Sequence, residues 1–141
     1  MPRLVKGGKW VYGWSLVNPR DIIRIPPDAF VEYEFQPGEM VLVFRGSRSS
    51  GGFSLGRLEK LENSLLRTHS IGQTRIGTDG LVTLLPEIEI RPPDARLLVV
   101  RGSGLALGFI QCGSIYKEAL KHPEIEIFMV DEDGHNTMSD R

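Results

Sequence analysis

The sequence contains a single cysteine, Cys112, among 141 residues. One thiol cannot form a disulfide within the chain, and it excludes the paired cysteines of a zinc-ribbon framework. No apolar run approaches the roughly 20 residues that a membrane-spanning helix needs. Residues 1–8 lack the apolar core of a signal peptide. We therefore expect a soluble protein in a reducing compartment, with a cytoplasmic location and no membrane partner.

An excess of charge of one sign is also missing. The 17 basic and 18 acidic residues give a net charge of -1, which excludes a uniformly basic nucleic-acid-binding chain. The balance hides an uneven distribution, because residues 1–77 carry 11 basic and 7 acidic residues (net +4), and residues 78–141 carry 6 and 11 (net -5). This split fits a basic face for an anionic partner and also an ordinary scatter of surface charge. Residues 131–141 are polar and begin with Asp131, Glu132 and Asp133, which predicts a disordered acidic tail.

A repeat is the clearest pattern that the sequence does contain. Residues 37–53 (PGEMVLVFRGSRSSGGF) and residues 93–109 (PDARLLVVRGSGLALGF) are identical at 8 of 17 positions without a gap. Each segment has a short apolar run, then Arg-Gly-Ser, four variable residues and Gly-Phe. The runs are too short for helices and rich in Val and Leu, which predicts strands buried on both faces. The Arg-Gly-Ser loops predict hairpins.

A second hairpin precedes each of these segments. In the first repeat, strand-forming residues 10–17 and 22–25 flank a turn at 18–21. In the second repeat, residues 70–76 and 81–85 flank a turn that ends in Gly80. Each repeat therefore predicts four strands in the same order.

These elements predict one all-β domain over residues 1–130. Its two repeats would close on each other as a pseudo-symmetric barrel with one or two short peripheral helices. Leu58, Leu61 and Leu65 form the apolar stripe of a linker helix. The predicted segments are repeat one at about 10–55, the linker helix at 57–67, repeat two at about 70–110, a helix at 115–121 capped by Ser114, and a last or edge strand at 125–130.

The first repeat also contains a recognisable succession of motifs. Its strand at 22–25 ends in Ile25-Pro26, a helical turn with Phe30 follows, and Gly38-Glu39 precedes a Val-rich strand. This succession resembles the AbrB/SpoVT-like family of swapped-hairpin proteins among the cradle-loop barrels. The resemblance implies two interleaved units in one barrel, usually as a homodimer and here on one chain. It also implies transcription-factor-like binding of double-stranded DNA.

One position departs from the family pattern. Family members that bind DNA carry Gly-Arg just before the strand that ends in Ile-Pro. The matching positions here are Asp21-Ile22 and Gly80-Leu81, so both repeats lack that arginine.

Five other arginines are the candidate DNA-binding or anion-binding residues. Arg45 and Arg101 occupy equivalent repeat positions before Gly-Ser, where backbone amides can approach an anion and arginine can bond phosphate in a bidentate manner. Arg20, Arg24 and Arg48 add positive charge around the first repeat. Strand alternation predicts that Arg24 faces solvent, opposite to its apolar neighbours. An ordinary solvated surface, with arginines at exposed strand ends, explains the same residues.

Patterns that carry catalysis are missing. The histidines His69, His122 and His135 have no metal-ligand spacing, and no nucleophile–base arrangement is recognisable. Cys112 fits a half-buried structural thiol. We therefore predict no enzyme, no metal and no cofactor. Two hypotheses remain: a DNA-binding transcriptional regulator of the AbrB/SpoVT-like type, and a non-catalytic ligand-binding or protein-assembly barrel without DNA binding. The chain itself is the other candidate partner, as a homodimer or larger ring, although a monomer is equally compatible with two repeats on one chain.

Overall fold

Short strands dominate the structure, as the apolar runs between turn residues predict. The computed structural model describes residues 10–61, 68–88, 96–102, 106–130 and 136–137. The strands within these ranges are β1 (Val11–Leu16), β2 (Ile22–Arg24), β3 (Met40–Arg45), β4 (Phe53–Arg57), β5 (Gly72–Arg75), β6 (Leu81–Thr83), β7 (Arg96–Arg101), β8 (Ala106–Ile110), β9 (Ile127–Val130) and β10 (Asn136–Thr137).

Three short helices accompany the strands in the described part of the chain: α1 (Pro27–Glu32), α2 (Leu58–Leu61) and α3 (Ser114–Ala119). Pro27 opens α1, where its fixed φ suits the first turn and its missing N–H costs nothing. α2 begins the predicted linker helix, of which residues 62–67 lie outside the described residues. None of the helices in the described ranges is long and apolar enough to cross a membrane.

The predicted cap of α3 is wrong. Gly113, with φ +102°, occupies the N-cap position, and Ser114 is the first helical residue. A Cβ atom at position 113 would lie 2.7 Å from the carbonyl oxygen of Ser49. Only glycine therefore allows the chain to pass this close to the loop after β3 and still enter the helix.

The strands build one curled sheet and a smaller pair. The sheet has the order β10-β9-β1-β7-β8-β4-β3-β5, and β2 pairs with β6 alone. β2 also contacts β1 and β9, and β6 contacts β5. The pair therefore lies across the open side of the curl, which confirms the predicted strand-rich barrel. β10 lies in the predicted tail and pairs with β9; residues 131–135 and 138–141 lie outside the described residues.

The strands of the two repeats interleave. β1 from the first repeat pairs with β7 from the second, and β5 from the second repeat pairs with β3 from the first. β2 pairs with β6, and β4 pairs with β8. Phe53 lies opposite Phe109, its match in the sequence alignment, and the two rings stack with centroids 4.7 Å apart. Exchanging the repeats returns the same set of pairs, so the strands of the two repeats pair with each other within one chain.

Strand β7 shows how the core is layered. Leu97 and Val99 belong to the large apolar cluster that joins β1 to β8. Leu98 and Val100 point to the other face and pack with Trp14 in a second cluster, which α3 covers. The prediction of a strand buried on both faces is therefore confirmed for β7.

The interleaving gives the barrel two distinct ends. We call one the Arg45 end, where β1 and β3 finish and β7 begins at Arg96. We call the other the Arg101 end, where β3 begins at Met40 and β7 finishes. α1 follows β2 at the Arg101 end. Arg45 and Arg101 therefore lie at opposite ends of the barrel, because the equivalent strands β3 and β7 run in opposite directions.

His122 fastens the end of α3 to the turn that leads into β9. Its Nε2 lies 3.1 Å from a Glu118 carboxylate oxygen, and its Nδ1 lies 2.9 Å from a Glu124 carboxylate oxygen. The hydrogen bond with Glu124, followed by the one with Glu118, raises the pKa of His122 above its usual 6.5. The charged imidazole can donate to both carboxylates, so this contact favours the folded state while His122 is protonated.

This raised pKa predicts a pH-dependent stability. The contribution of His122 should be fully present below its unfolded pKa and should be lost as pH rises through the folded pKa. Unfolding free energies of the wild type and of His122→Gln should therefore converge as the pH rises above the usual histidine pKa of 6.5. His69→Gln is the control, because it removes a histidine that takes no part in these bonds. A constant difference between wild type and His122→Gln over this rise in pH would contradict the assignment.

Candidate functional site

Arg24, predicted to face solvent, is buried with 7% of its surface exposed. The alternation itself holds, since Ile23 and Ile25 enter the large cluster and Arg24 does not. However, β9 packs over the outer face of β2, and the Arg24 guanidinium lies 5.5 Å from the centre of the Phe128 ring. This burial lowers the pKa of Arg24. Arg24 is therefore removed from the surface that a partner could reach.

Arg101 is at the other end of the barrel from Arg45 and its charge is compensated. Its guanidinium forms an ion pair with Glu32 on α1. The hydroxyl of Tyr12 lies beside this pair, and burial is the main cause that raises the pKa of Tyr12. The equivalent repeat position of Arg45 and Arg101 therefore does not give them an equivalent environment.

Other arginines at the Arg101 end are also engaged. Arg57 forms ion pairs with Glu39, Glu59 and Glu34. The hydrogen bond that Arg57 donates to the Glu39 carboxylate is the main cause that raises the pKa of Arg57. Arg75 donates to the carbonyl oxygen of Gly38 over 2.6 Å. The guanidinium groups of Arg57, Arg75 and Arg101 therefore already have partners within the protein.

The Arg45 end has a different charge pattern. Arg20, Arg45 and Arg48 are exposed there, and no carboxylate among the described residues lies within ion-pair distance of them. Arg20 stands on the turn between β1 and β2, where the Asn18 side chain accepts hydrogen bonds from the backbone N–H groups of Arg20 and Ile22. Three of the five predicted site residues are therefore at one end of the barrel, and Arg24 and Arg101 are not among them.

The loop after β3, residues 46–52, carries Arg48 and is tightly closed. The Gly46 N–H donates to the Gly52 carbonyl oxygen over 3.0 Å, and the Gly51 N–H donates to the Ser47 carbonyl oxygen over 2.8 Å. The Ser47 hydroxyl is 2.8 Å from the Ser50 hydroxyl. The Ser50 carbonyl oxygen accepts from two backbone N–H groups just after β8. These bonds fix the loop of the predicted hairpin to the end of its neighbour strand β8.

Glycines make this loop conformation possible. Gly51 and Gly52 have φ values of +63° and +70°, in the left-handed region that favours glycine. A Cβ atom at Gly52 would overlap the Phe109 carbonyl oxygen, and one at Gly46 would overlap the Gly51 carbonyl oxygen. Gly52, the glycine of the repeated Gly-Phe motif, is thus required by the close approach of β4 to β8.

A cleft of about 350 Å³ opens beside this loop. The described residues around it are Arg45, Gly46, Ser47, Arg48, Gly51, Gly52, Ile88 and Gln111. Gln111 was missed by the sequence analysis. Its only signal is its position two residues after Phe109, at the point where β8 finishes beside β4.

Cys112 is exposed, so its assignment as a half-buried thiol is wrong. Its Sγ donates to the Ser49 carbonyl oxygen over 3.5 Å. Among the described residues, no group of three or more His, Cys, Asp or Glu side chains is placed to hold a metal ion.

Comparisons with protein-family models, with curated proteins and with solved structures found no match to this chain. The AbrB/SpoVT-like resemblance therefore stays a prediction.

Proposed function

We propose that the protein binds double-stranded DNA through phosphate contacts at the Arg45 end, as a non-catalytic regulator of the AbrB/SpoVT-like kind. One observation carries the proposal: the arginines at this end lack ion-pair partners among the described residues. At the Arg101 end, by contrast, Arg57 and Arg101 form ion pairs and Arg75 bonds to a backbone carbonyl oxygen. Phosphate groups suit such exposed guanidinium groups, because the planar fork can donate two hydrogen bonds to one phosphate.

The local charge supports an anionic partner. At the strand ends and connecting loops of the Arg45 end, the exposed basic residues are Arg20, Arg45, Arg48 and Arg96. The exposed carboxylates there, within the described ranges, are Asp21 and Glu87. The chain as a whole is close to neutral, so this end is the part of the described surface that offers an excess of positive charge.

Fluorescence anisotropy with a labelled duplex of random sequence tests the proposal. Affinity should fall steeply between about 50 mM and 200 mM salt, because neutralised phosphates release counterions. The double substitution Arg45→Ala with Arg48→Ala should weaken binding and lower the salt slope by about 2, since each lost phosphate contact removes about 0.9. We expect both residues to contact phosphate because their side chains are exposed and form no ion pair among the described residues.

Arg101→Ala is the matched control, because it removes the same residue type from the equivalent repeat position at the opposite end. It should leave both affinity and salt slope unchanged, provided that circular dichroism shows an intact fold. Absence of binding at low salt, or equal losses in the two variants, would contradict DNA binding at this end. The non-catalytic ligand-binding or assembly barrel would then be the better description.

A further inference from the structure

The cleft beside the loop 46–52 has the size of a small-molecule site. Its volume of about 350 Å³ lies within the range that holds small ligands, roughly 300–1,000 Å³. A DNA duplex is far too wide to enter it, so only a protruding group of a partner can. The residues around the cleft include two arginines, Arg45 and Arg48, together with Gln111 and the apolar Ile88.

These lining groups favour a compact, doubly charged oxyanion. Two exposed arginines provide charge and directional N–H donors, and an amide side chain provides a further donor. An internal phosphodiester carries one negative charge, whereas a phosphomonoester approaches two near neutral pH. Ile88 is largely buried in the core, so the apolar part of the cleft wall is small.

The cleft is also pre-organised. The loop is closed by the Gly46–Gly52 backbone bond, and the Ser50 carbonyl oxygen is held by the N–H groups of Gln111 and Cys112. The Gly51 backbone packs against the Gln111 side chain, since a Cβ atom there would lie 2.8 Å from Gln111 Cγ. A site that is already ordered loses less conformational entropy on binding.

We propose that this cleft is a binding site for the phosphate group of one phosphomonoester, either a free mononucleotide or the 5′-terminal phosphate of a nucleic acid strand. The cleft shares Arg45 and Arg48 with the proposed duplex binding but takes a terminal phosphate group, whereas duplex binding uses phosphodiesters along a backbone. Arg101 has no equivalent role because Glu32 already occupies its guanidinium. The expected stoichiometry is therefore one phosphate group per chain.

Isothermal titration calorimetry with adenosine 5′-monophosphate, adenosine and inorganic phosphate tests this site. The monophosphate and inorganic phosphate should bind competitively with one site per chain, and adenosine should not bind. Arg45→Ala and Arg48→Ala should each weaken monophosphate binding by about tenfold or more, the usual effect of removing a charged hydrogen-bond donor. Arg101→Ala should retain the wild-type affinity. Amide chemical shifts of Gly51 and Gly52 should move on titration.

A second arm separates the two sources of the phosphate and the two proposals. A duplex with 5′-phosphate ends is compared with the same duplex carrying 5′-hydroxyl ends. Tighter binding of the phosphorylated duplex assigns the site to strand termini. Monophosphate binding, together with equal affinity for both duplexes, assigns it to a free mononucleotide.

The same measurements separate the two proposals. If the monophosphate binds and neither duplex does, the phosphate site in the cleft is supported and the proposed DNA binding fails. If both duplexes bind equally and the monophosphate does not, DNA binding stands and the cleft proposal is overturned.

Discussion

Replacing Phe109 with alanine is expected to lower the free energy of unfolding by about 3–5 kcal/mol, the usual cost of truncating a buried phenylalanine. Phe109 is fully buried, and its ring stacks on Phe53 where β8 meets β4. The substitution removes apolar surface and leaves a cavity in the strand pair that joins the two repeats. Urea unfolding followed by circular dichroism measures the effect, because the free energy of unfolding varies linearly with denaturant.

Val31→Ala is the control for this measurement. Val31 also has an apolar side chain, but 75% of it is exposed on α1. Its replacement should change the free energy of unfolding by no more than about 0.5 kcal/mol. Stabilities within about 1 kcal/mol for the Phe109 variant and the wild type would show that the β4–β8 contact is not part of a tightly packed core.

Gly52→Ala is expected to destabilise the protein more than Gly38→Ala. Both glycines have positive φ values, +70° and +83°, so alanine pays about 1–2 kcal/mol of left-handed backbone strain at either position. Space around the new Cβ atom separates the two sites. At Gly38 no atom lies within 4 Å, whereas at Gly52 the Cβ atom would overlap the Phe109 carbonyl oxygen. We expect an additional cost of about 1–3 kcal/mol at Gly52, since the backbone has to move.

The same pair of variants also reports on the Arg45 end. Gly52 closes the loop that carries Arg48, so Gly52→Ala should weaken binding of the labelled duplex as well as stability. Gly38→Ala should reduce stability alone, because Gly38 lies beside β3 at the other end of the barrel. Parallel urea titrations and anisotropy measurements provide both values. Equal destabilisation by the two substitutions would contradict the close approach of β4 and β8 at this loop.

The sequence predicted the strands well because their signals are local. Residues 10–17 were predicted as a strand and Val11–Leu16 forms β1; residues 22–25 were predicted and Ile22–Arg24 forms β2. Apolar runs bounded by Asn, Pro and Gly are sufficient for that step. A last or edge strand was predicted at 125–130. Ile127–Val130 does form a strand, β9, but β10 follows it and pairs with it, so β9 is neither the last strand nor an edge strand.

The site was harder to predict because its features depend on distant segments. The period-two pattern places Arg24 on the outer face of β2, but nothing in that strand indicates that β9 covers this face. Arg101 is matched to Arg45 by the repeat, yet Glu32, which neutralises it, is 69 positions away in the sequence. Charge pairing of this kind follows from the strand order, which local patterns do not encode.

Joining both repeats on one chain has a consequence for the kind of target that the barrel can recognise. In a homodimer every substitution occurs twice, and the two contact surfaces stay identical. Here β1 pairs with β7 and β5 pairs with β3 inside one polypeptide. Arg45 and Arg101 are therefore separate positions in the sequence, and their surroundings can differ. Symmetric proteins read DNA sites that are themselves palindromic. Under the proposed DNA binding, a barrel with a single basic end is released from that requirement, so the duplex that it contacts does not need two-fold symmetry.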